Sequence, residues 1–280
     1  MNPSAPFRFT LWDVGHGLAI WIKTPGAHNH WIDAGREGDF SPSWHVYSEY
    51  GERVLDYLII SHPDDDHIND PANLVTYLGK PRVLLRNKTL PDEEKFESGE
   101  RDYQVTFEDL DTSYTRAIGK TEDLKDPAYN GGVTVKTGML TWVEAEESSN
   151  NSSVVAFYEY AGFLFVMPGD IEESGWIKLW RKRGAVFQEL IDRANTRILI
   201  APHHGRESGY SPTMFSNVRP HLTLISHKKA KAETCAEFRT HPLGVEYEGE
   251  TRRFFSTKTG GRMQFTIQAS GACNLHIVDK

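Results

Sequence analysis

The sequence predicts an α/β chain, and three observations carry that prediction. Short apolar, β-branched runs alternate with segments of helical spacing. Several of those runs stop at a loop carrying glycine together with aspartate or histidine. A length of 280 residues with 39% hydrophobic content suffices for one unit with a sizeable core. No tandem period and no low-complexity linker divides the chain, so residues 1–280 read as one domain.

Phe7 to Trp12 reads as the first strand and ends at Asp13-Val14-Gly15-His16-Gly17. Leu18 to Lys23 follows, Pro25-Gly26 turns the chain, and His30-Trp31-Ile32 ends at Asp33-Ala34-Gly35. Each loop sets an aspartate within two residues of a glycine, which aims a carboxylate while the backbone turns sharply. Leu55 to Ser61 is the next buried strand, and it stops in His62-Pro63-Asp64-Asp65-Asp66-His67. Two histidines and three aspartates at a strand end form a cluster of metal-ligating groups, and imidazole with carboxylate suits zinc, manganese or iron. The alternative is an acidic solvated loop, which matching partners downstream argue against.

Pro71 to Tyr77 has the look of a short helix and Arg82 to Leu85 of a strand. From about residue 88 to 130 the composition turns charged and polar, an insertion with some helix that either gates substrate or is a surface excursion. Val133 to Val143 alternates like a hairpin, and Ser153 to Tyr160 and Phe163 to Met167 flank an Ala161-Gly162 turn. The second of these strands ends in Pro168-Gly169-Asp170. Trp176 to Trp180 and Ala185 to Ala194 carry helical spacing, and the strand Arg197 to Ala201 ends in Pro202-His203-His204-Gly205. Leu222 to Ile225, a helix around Ala230 to Arg239, and strands near Arg253 to Ser256 and Met263 to Ile267 complete the chain.

Composition bounds the function classes. The formal net charge of -8 argues against coating nucleic acid by bulk electrostatics, while leaving a local basic groove open. No apolar run approaches the length of a membrane helix, and no signal peptide precedes the first strand. The two cysteines, Cys235 and Cys273, lack any CxxC partner and read as reduced thiols of a cytoplasmic protein.

Three strand ends therefore carry ligand-type residues: His62 to His67, Asp170, and His203-His204. Together with Asp13-Val14-Gly15-His16-Gly17, Ile32-Asp33-Ala34-Gly35, Asn150-Asn151-Ser152-Ser153 and the closing Phe255 to Met263 segment, they resemble the metallo-β-lactamase fold, and within it the metallo-β-lactamase domain of the competence protein ComEC. The resemblance spans nearly the whole chain except the polar insertion. It implies a four-layer αββα sandwich with one or two divalent transition metal ions, Zn²⁺ or Mn²⁺, at one edge. It places His62, Asp64 and Asp170 around one metal and Asp66, His67, Asp170 and His203 around a second, with Asp170 bridging. No histidine precedes Ser153 where the broader family has one, and Asn150 and Asn151 are weak substitutes, so unequal sites are expected.

The chemistry implied is hydrolysis by a metal-activated water. Asp66 is the expected ligand or base that orients it, and His204 or His241 the group that polarises substrate or protonates a leaving group. His204 has the alternative of supporting His203, and His241 that of a surface or capping residue. His16 is read as packing beneath the site, and Asp13 and Asp33 as holding the ligand-bearing loops. Arg206, Lys228, Lys229, Lys231 and Arg239 either grip phosphates or form a solvated face. The leading expectation is a phosphodiesterase or nuclease acting on nucleic acid or a nucleotide, without a membrane span. Hydrolysis of a small-molecule ester, amide or phosphoester, and a non-catalytic metal-binding module, are the alternatives.

Overall fold

Alternation along the strands sorts side chains into three apolar layers, and these layers set the architecture. The computed structural model describes residues 5–95, 102–116, 125–228 and 234–278. Ala230, with Lys229 and Lys231, and part of the polar insertion lie outside them.

In the first half, β1 (Phe7–Leu11), β2 (Ala19–Lys23) and β3 (Asn29–Ala34) are followed by α1 (Pro42–Tyr50), β4 (Tyr57–Ile59), α2 (Asp65–Ile68), α3 (Pro71–Leu78), β5 (Val83–Leu85) and α4 (Asp102–Ser113). In the second half come β6 (Thr134–Gly138), β7 (Val155–Tyr160), β8 (Phe163–Met167), α5 (Glu173–Arg193), β9 (Thr196–Ile200), α6 (Pro212–Val218), β10 (Leu222–Ile225), α7 (Glu237–Thr240), β11 (Val245–Tyr247), β12 (Glu250–Arg252), β13 (Phe254–Ser256), α8 (Thr257–Gly260), β14 (Arg262–Ile267) and β15 (Cys273–Val278).

Among the described residues, one sheet has the order β15-β14-β1-β2-β3-β4-β5 and a second the order β13-β10-β9-β8-β7-β6. Phe7, Phe9, Ile20 and Ile32 of the first sheet meet Tyr158, Phe165, Ile200 and Leu224 of the second in one inter-sheet layer. Trp21, Trp31 and Leu58 point the other way and are covered by Val46, Leu74, Phe107 and Leu110 from α1, α3 and α4. Phe157, Leu164 and Leu199 turn outward beneath Trp176, Leu179, Phe187 and Met214 of α5 and α6. Strands buried on both faces read as near-continuous apolar runs, which is why they are visible in the sequence.

Three expectations change. Residues 133–143 form no hairpin: β6 pairs with β7 and the chain then turns. The two helical segments after Asp170 are one helix, α5, because the charged 181–183 stretch sits on its solvent side and Gly184 leaves room for the Trp180 indole. Near the end of the Ala230 to Arg239 segment, the helix described is the short α7.

Polarity of the strands positions the site. β3, β4 and β5 run parallel in one sheet, and β8, β9, β10 and β13 run parallel in the other. The carboxyl ends of parallel strands are where such sheets place their loops for binding. Here the two sets meet: Val154 N–H donates to the Ser61 carbonyl at 2.8 Å, tying the sheets together at that edge.

Candidate metal centre

The loop after β4 supplies His62 and Asp64, and α2 supplies Asp66 and His67. Two glycines let this helix approach the neighbouring loops: a Cβ at Gly17 or Gly35 would lie 2.6 Å from the Asp66 carbonyl oxygen. That carbonyl accepts from Leu18 N–H at 3.2 Å. The second sheet contributes Asp170 after β8 and His203-His204 after β9. His203, His204 and Gly205 all have left-handed backbone, with φ of 49°, 55° and 77°. Two consecutive non-glycine residues there store strain of a kind that concentrates at functional sites.

Three histidines are pinned by one ring nitrogen and aim the other inward. His67 Nδ1–H donates to Asp33 Oδ2 at 2.8 Å. Ser61 Oγ–H donates to the same carboxylate at 2.7 Å, so its oxygen accepts from His62 Nδ1–H at 3.0 Å. His204 Nδ1–H donates to the Ser226 carbonyl at 3.1 Å. The Nε2 atoms of all three therefore present lone pairs. His67 Nε2 lies 3.2 Å from His204 Nε2 and 3.3 Å from Asp170 Oδ1. His62 Nε2 is buried without a hydrogen-bond partner, 3.3 Å from Asp64 Oδ2 and 3.9 Å from Asp170 Oδ2.

These atoms fall into two groups able to hold a metal ion: His62, His67 and Asp170, all buried, and His16, Asp66 and His204, of which only His204 is buried. In the second, His204 Nε2 is 3.0 Å and His16 Nε2 3.5 Å from Asp66 Oδ2. Asp170 lies between the groups, its Oδ2 3.7 Å from His204 Nε2. An orphaned imidazole nitrogen, facing lone pairs and converging carboxylates fit a divalent cation, and donation of the second ring nitrogen to an acceptor is the usual support of a metal-bound histidine.

The electrostatics agree with this demand for positive charge. Burial disfavours a charged His67, yet Asp170, Asp33 and Asp66 outweigh it and raise its proton affinity well above the usual histidine range. Burial opposes ionisation of Asp170, but His67 and His204 hold its carboxyl well below the ordinary value. His16 is pushed down to about 4, first by burial and then by His204.

The grouping departs from the sequence expectation in three ways. His67 stands with His62 rather than with Asp66, because α2 turns the adjacent Asp66 towards β2 and its loop. His204, not His203, enters the cluster: the left-handed backbone points His203 outward, where its Nε2 accepts from Arg206 Nη1 at 3.1 Å and Ser208 Oγ holds Nδ1 at 2.9 Å. His203 Nε2 still lies 3.9 Å from Asp170 Oδ2. His16 lines the cluster instead of packing under it, and Arg206 Nη2 donates to its Nε2 at 2.9 Å.

Other residues take supporting positions. Asp33 holds the loop after β4, accepting Ser61 N–H at 2.6 Å, and Asp13 accepts Gly15 N–H at 3.3 Å. Asp64 accepts Ser149 Oγ–H at 2.8 Å and is partly exposed. Asn151 braces the start of α5, accepting Glu172 N–H at 3.0 Å. His241 is exposed and its ring partners are Tyr210 and Phe215; Tyr210 Oη lies 2.8 Å from its Nδ1, and no cluster residue is among these contacts. Lys228 pairs with Glu37 at 3.1 Å.

No protein-family model matches the chain. Over 239 residues it is 24% identical to "ComE operon protein 3" of Bacillus subtilis (strain 168), covering 78% of this chain and 28% of that protein. Over 278 residues it is 21% identical to "Competence protein ComA" of Neisseria gonorrhoeae, covering 96% of this chain and 33% of that protein. The chain thus spans a third or less of the length of these curated relatives. Among the described residues, no helix is long and apolar enough to cross a membrane.

Proposed function

We propose that this chain is a metal-dependent hydrolase of the metallo-β-lactamase type, a ComEC-like phosphodiesterase or nuclease acting on nucleic acid or a nucleotide. The observation that carries the reading is the convergence of His62, His67 and His204 Nε2 with Asp66 and Asp170 at one edge shared by two sheets. The layering of helices, sheet, sheet and helices supports assignment as a single αββα domain. The likeness to competence proteins supports a DNA-related substrate.

In this reading His62, His67 and Asp170 would hold one Zn²⁺ or Mn²⁺, Asp64 adjoins it, and Asp66 and His204 are the ligands available to a second, with His16 beside them engaged by Arg206. Such ions, when bound, supply Lewis acidity that activates water near neutral pH and offsets charge on phosphoryl oxygens. Asp66, on the open side, orients the attacking water through its carboxylate. Arg206 is positioned by two neutral imidazoles that leave its charge unspent, so its remaining N–H groups can bind the oxygens of a phosphodiester. His203, facing outward beside Arg206, is a positioning residue that holds the guanidinium through its Nε2 lone pair. His241, engaged with Tyr210, has no part in the proposed chemistry.

The test is hydrolysis of single- and double-stranded DNA and RNA across Mn²⁺, Zn²⁺ and Mg²⁺, alongside metal analysis. Turnover that needs a transition metal and disappears in Asp170→Ala and Asp66→Ala supports the proposal. Metal binding without turnover of any phosphodiester would make the chain a binding module, and equal activity in wild type and variants would remove the enzyme reading.

A further inference from the structure

Beyond β10, the strand whose following residue supports His204, the second sheet ends in β13, with no further neighbour among the described residues. Along β13 lies an open cleft of about 280 Å³ lined by Arg239, Arg252, Arg253, Phe254, Ser256 and Thr259. Arg252 is neutralised by Glu250 at 2.7 Å. Arg239 and Arg253 form no ion pair among the described residues; Arg239 donates only to the Thr234 carbonyl, at 3.3 Å. In a chain of net charge -8, two cations without an ion pair among the described residues thus share one concave surface. Unpaired guanidinium groups at a cleft are suited to phosphate oxygens.

The cleft is joined to the metal centre by a short hydrogen-bonded path. Ser226, whose carbonyl fixes His204, directly follows β10, and the next residue, His227, donates its N–H to Thr257 Oγ1 at 3.2 Å. Thr257 follows Ser256 and begins α8, so it sits between the cleft residues Ser256 and Thr259. Ile225 and Ser256 are register partners in neighbouring strands, about 5 Å apart. Burial first, then Lys258 beside Thr257, His204 and Arg239 lower the proton affinity of the buried His227, which puts the cleft and the metal centre within one electrostatic field.

We propose that this cleft is an accessory phosphate site for a nucleic-acid strand, with Arg239 and Arg253 binding backbone phosphates away from the one held at the metal centre. The inference rests on the phosphodiesterase reading and narrows it: the ligand is a strand of several nucleotides, since a mononucleotide fills only one of the two positions. A repeated anion matches two separated cationic positions, which a compact monoester does not.

The experiment measures binding of fluorescent phosphorothioate thymidine strands of about 2 to about 12 nucleotides, which keep their charge and resist hydrolysis, by anisotropy at several salt concentrations. Wild type should gain affinity with length, roughly tenfold or more across this range at low salt. The exposed double variant Arg239→Ala/Arg253→Ala should lose that gain, and its salt slope should fall by about 1.4 for two single-strand phosphate contacts. Arg253→Glu should weaken long strands and spare the dinucleotide. An unchanged length dependence and slope in the variants overturns the cleft, whether or not the protein cleaves DNA. Poly-glutamate competing as well as the strand overturns it too. Length-dependent binding that the arginines control, in a protein without hydrolysis, keeps the cleft and rejects the hydrolase.

Discussion

The two halves of the cluster are built from the same residue types and differ in how they are held. His62 and His67 have fully buried side chains, Asp170 is 7% exposed, and each imidazole is locked by a serine or carboxylate behind it. Asp66 and His16 are 27% and 25% exposed, and His16 is claimed by Arg206 rather than by a carboxylate behind it. Burial and fixed orientation favour retention of an ion; exposure and a cationic neighbour favour exchange and contact with substrate. Under the proposed function, the inner group would be the holder and the outer group the reacting face.

Removing a holder should break this division most severely. His67→Ala is expected to lose tightly bound metal and about a thousandfold in kcat/KM, measured by elemental analysis and phosphodiester turnover. Unchanged metal content would show that the inner group is not the holder. Next in size is Asp33→Asn, which keeps an acceptor for His67 but removes its charge: metal affinity should fall about 10- to 100-fold, with turnover restored at high metal concentration. Arg206→Lys tests the open half. It should raise KM about tenfold with metal content unchanged, since lysine cannot bridge two imidazoles and still present a flat pair of donors.

The last effect concerns stability rather than turnover; it lies behind the cluster and has the opposite pH sense. Burial raises the Asp70 carboxyl to about 6, despite hydrogen bonds from Ser41 and Asn73. Its folded-state value exceeds the unfolded one, so its contribution to stability is complete below about pH 4 and is lost as pH rises through about 6. Asp66 and Asp170 are held below their ordinary values by histidines, so their contribution is present above about pH 4 and is lost as pH falls. Asp70→Asn should therefore melt progressively higher than wild type between pH 4 and pH 7, by an amount equivalent to about 2–3 kcal/mol at most. A constant difference across that range would remove the assignment.

Much of the strand framework could be read in advance because β1, β2, β8 and β9 are buried on both faces and written in apolar residues. The ends of those strands also announced the ligand-type residues, since Asp170 and His203-His204 follow the runs directly. What could not be read was which histidine faces which atom. Side-chain alternation fails at His203 and His204 because both backbones are left-handed, and the role of His16 depends on a neighbour 190 positions away. Other omissions had signals. α1 is bracketed by Ser41, Pro42 and Gly51, a helix start and a left-handed stop, but its apolar stripe is faint. The β11–β12 hairpin turns at Glu248-Gly249 and is largely exposed, so no apolar alternation marked it.

His62, Asp66 and His67 descend from the first sheet, and Asp170 and His204 from the second. An ion shared by them would act as a clasp across the two sheets, and its binding energy would resist the sliding apart of the halves. At a free concentration a thousand times its dissociation constant, such a clasp adds about 4 kcal/mol to folding stability. Chelators would then loosen the seam between the sheets as well as abolish turnover.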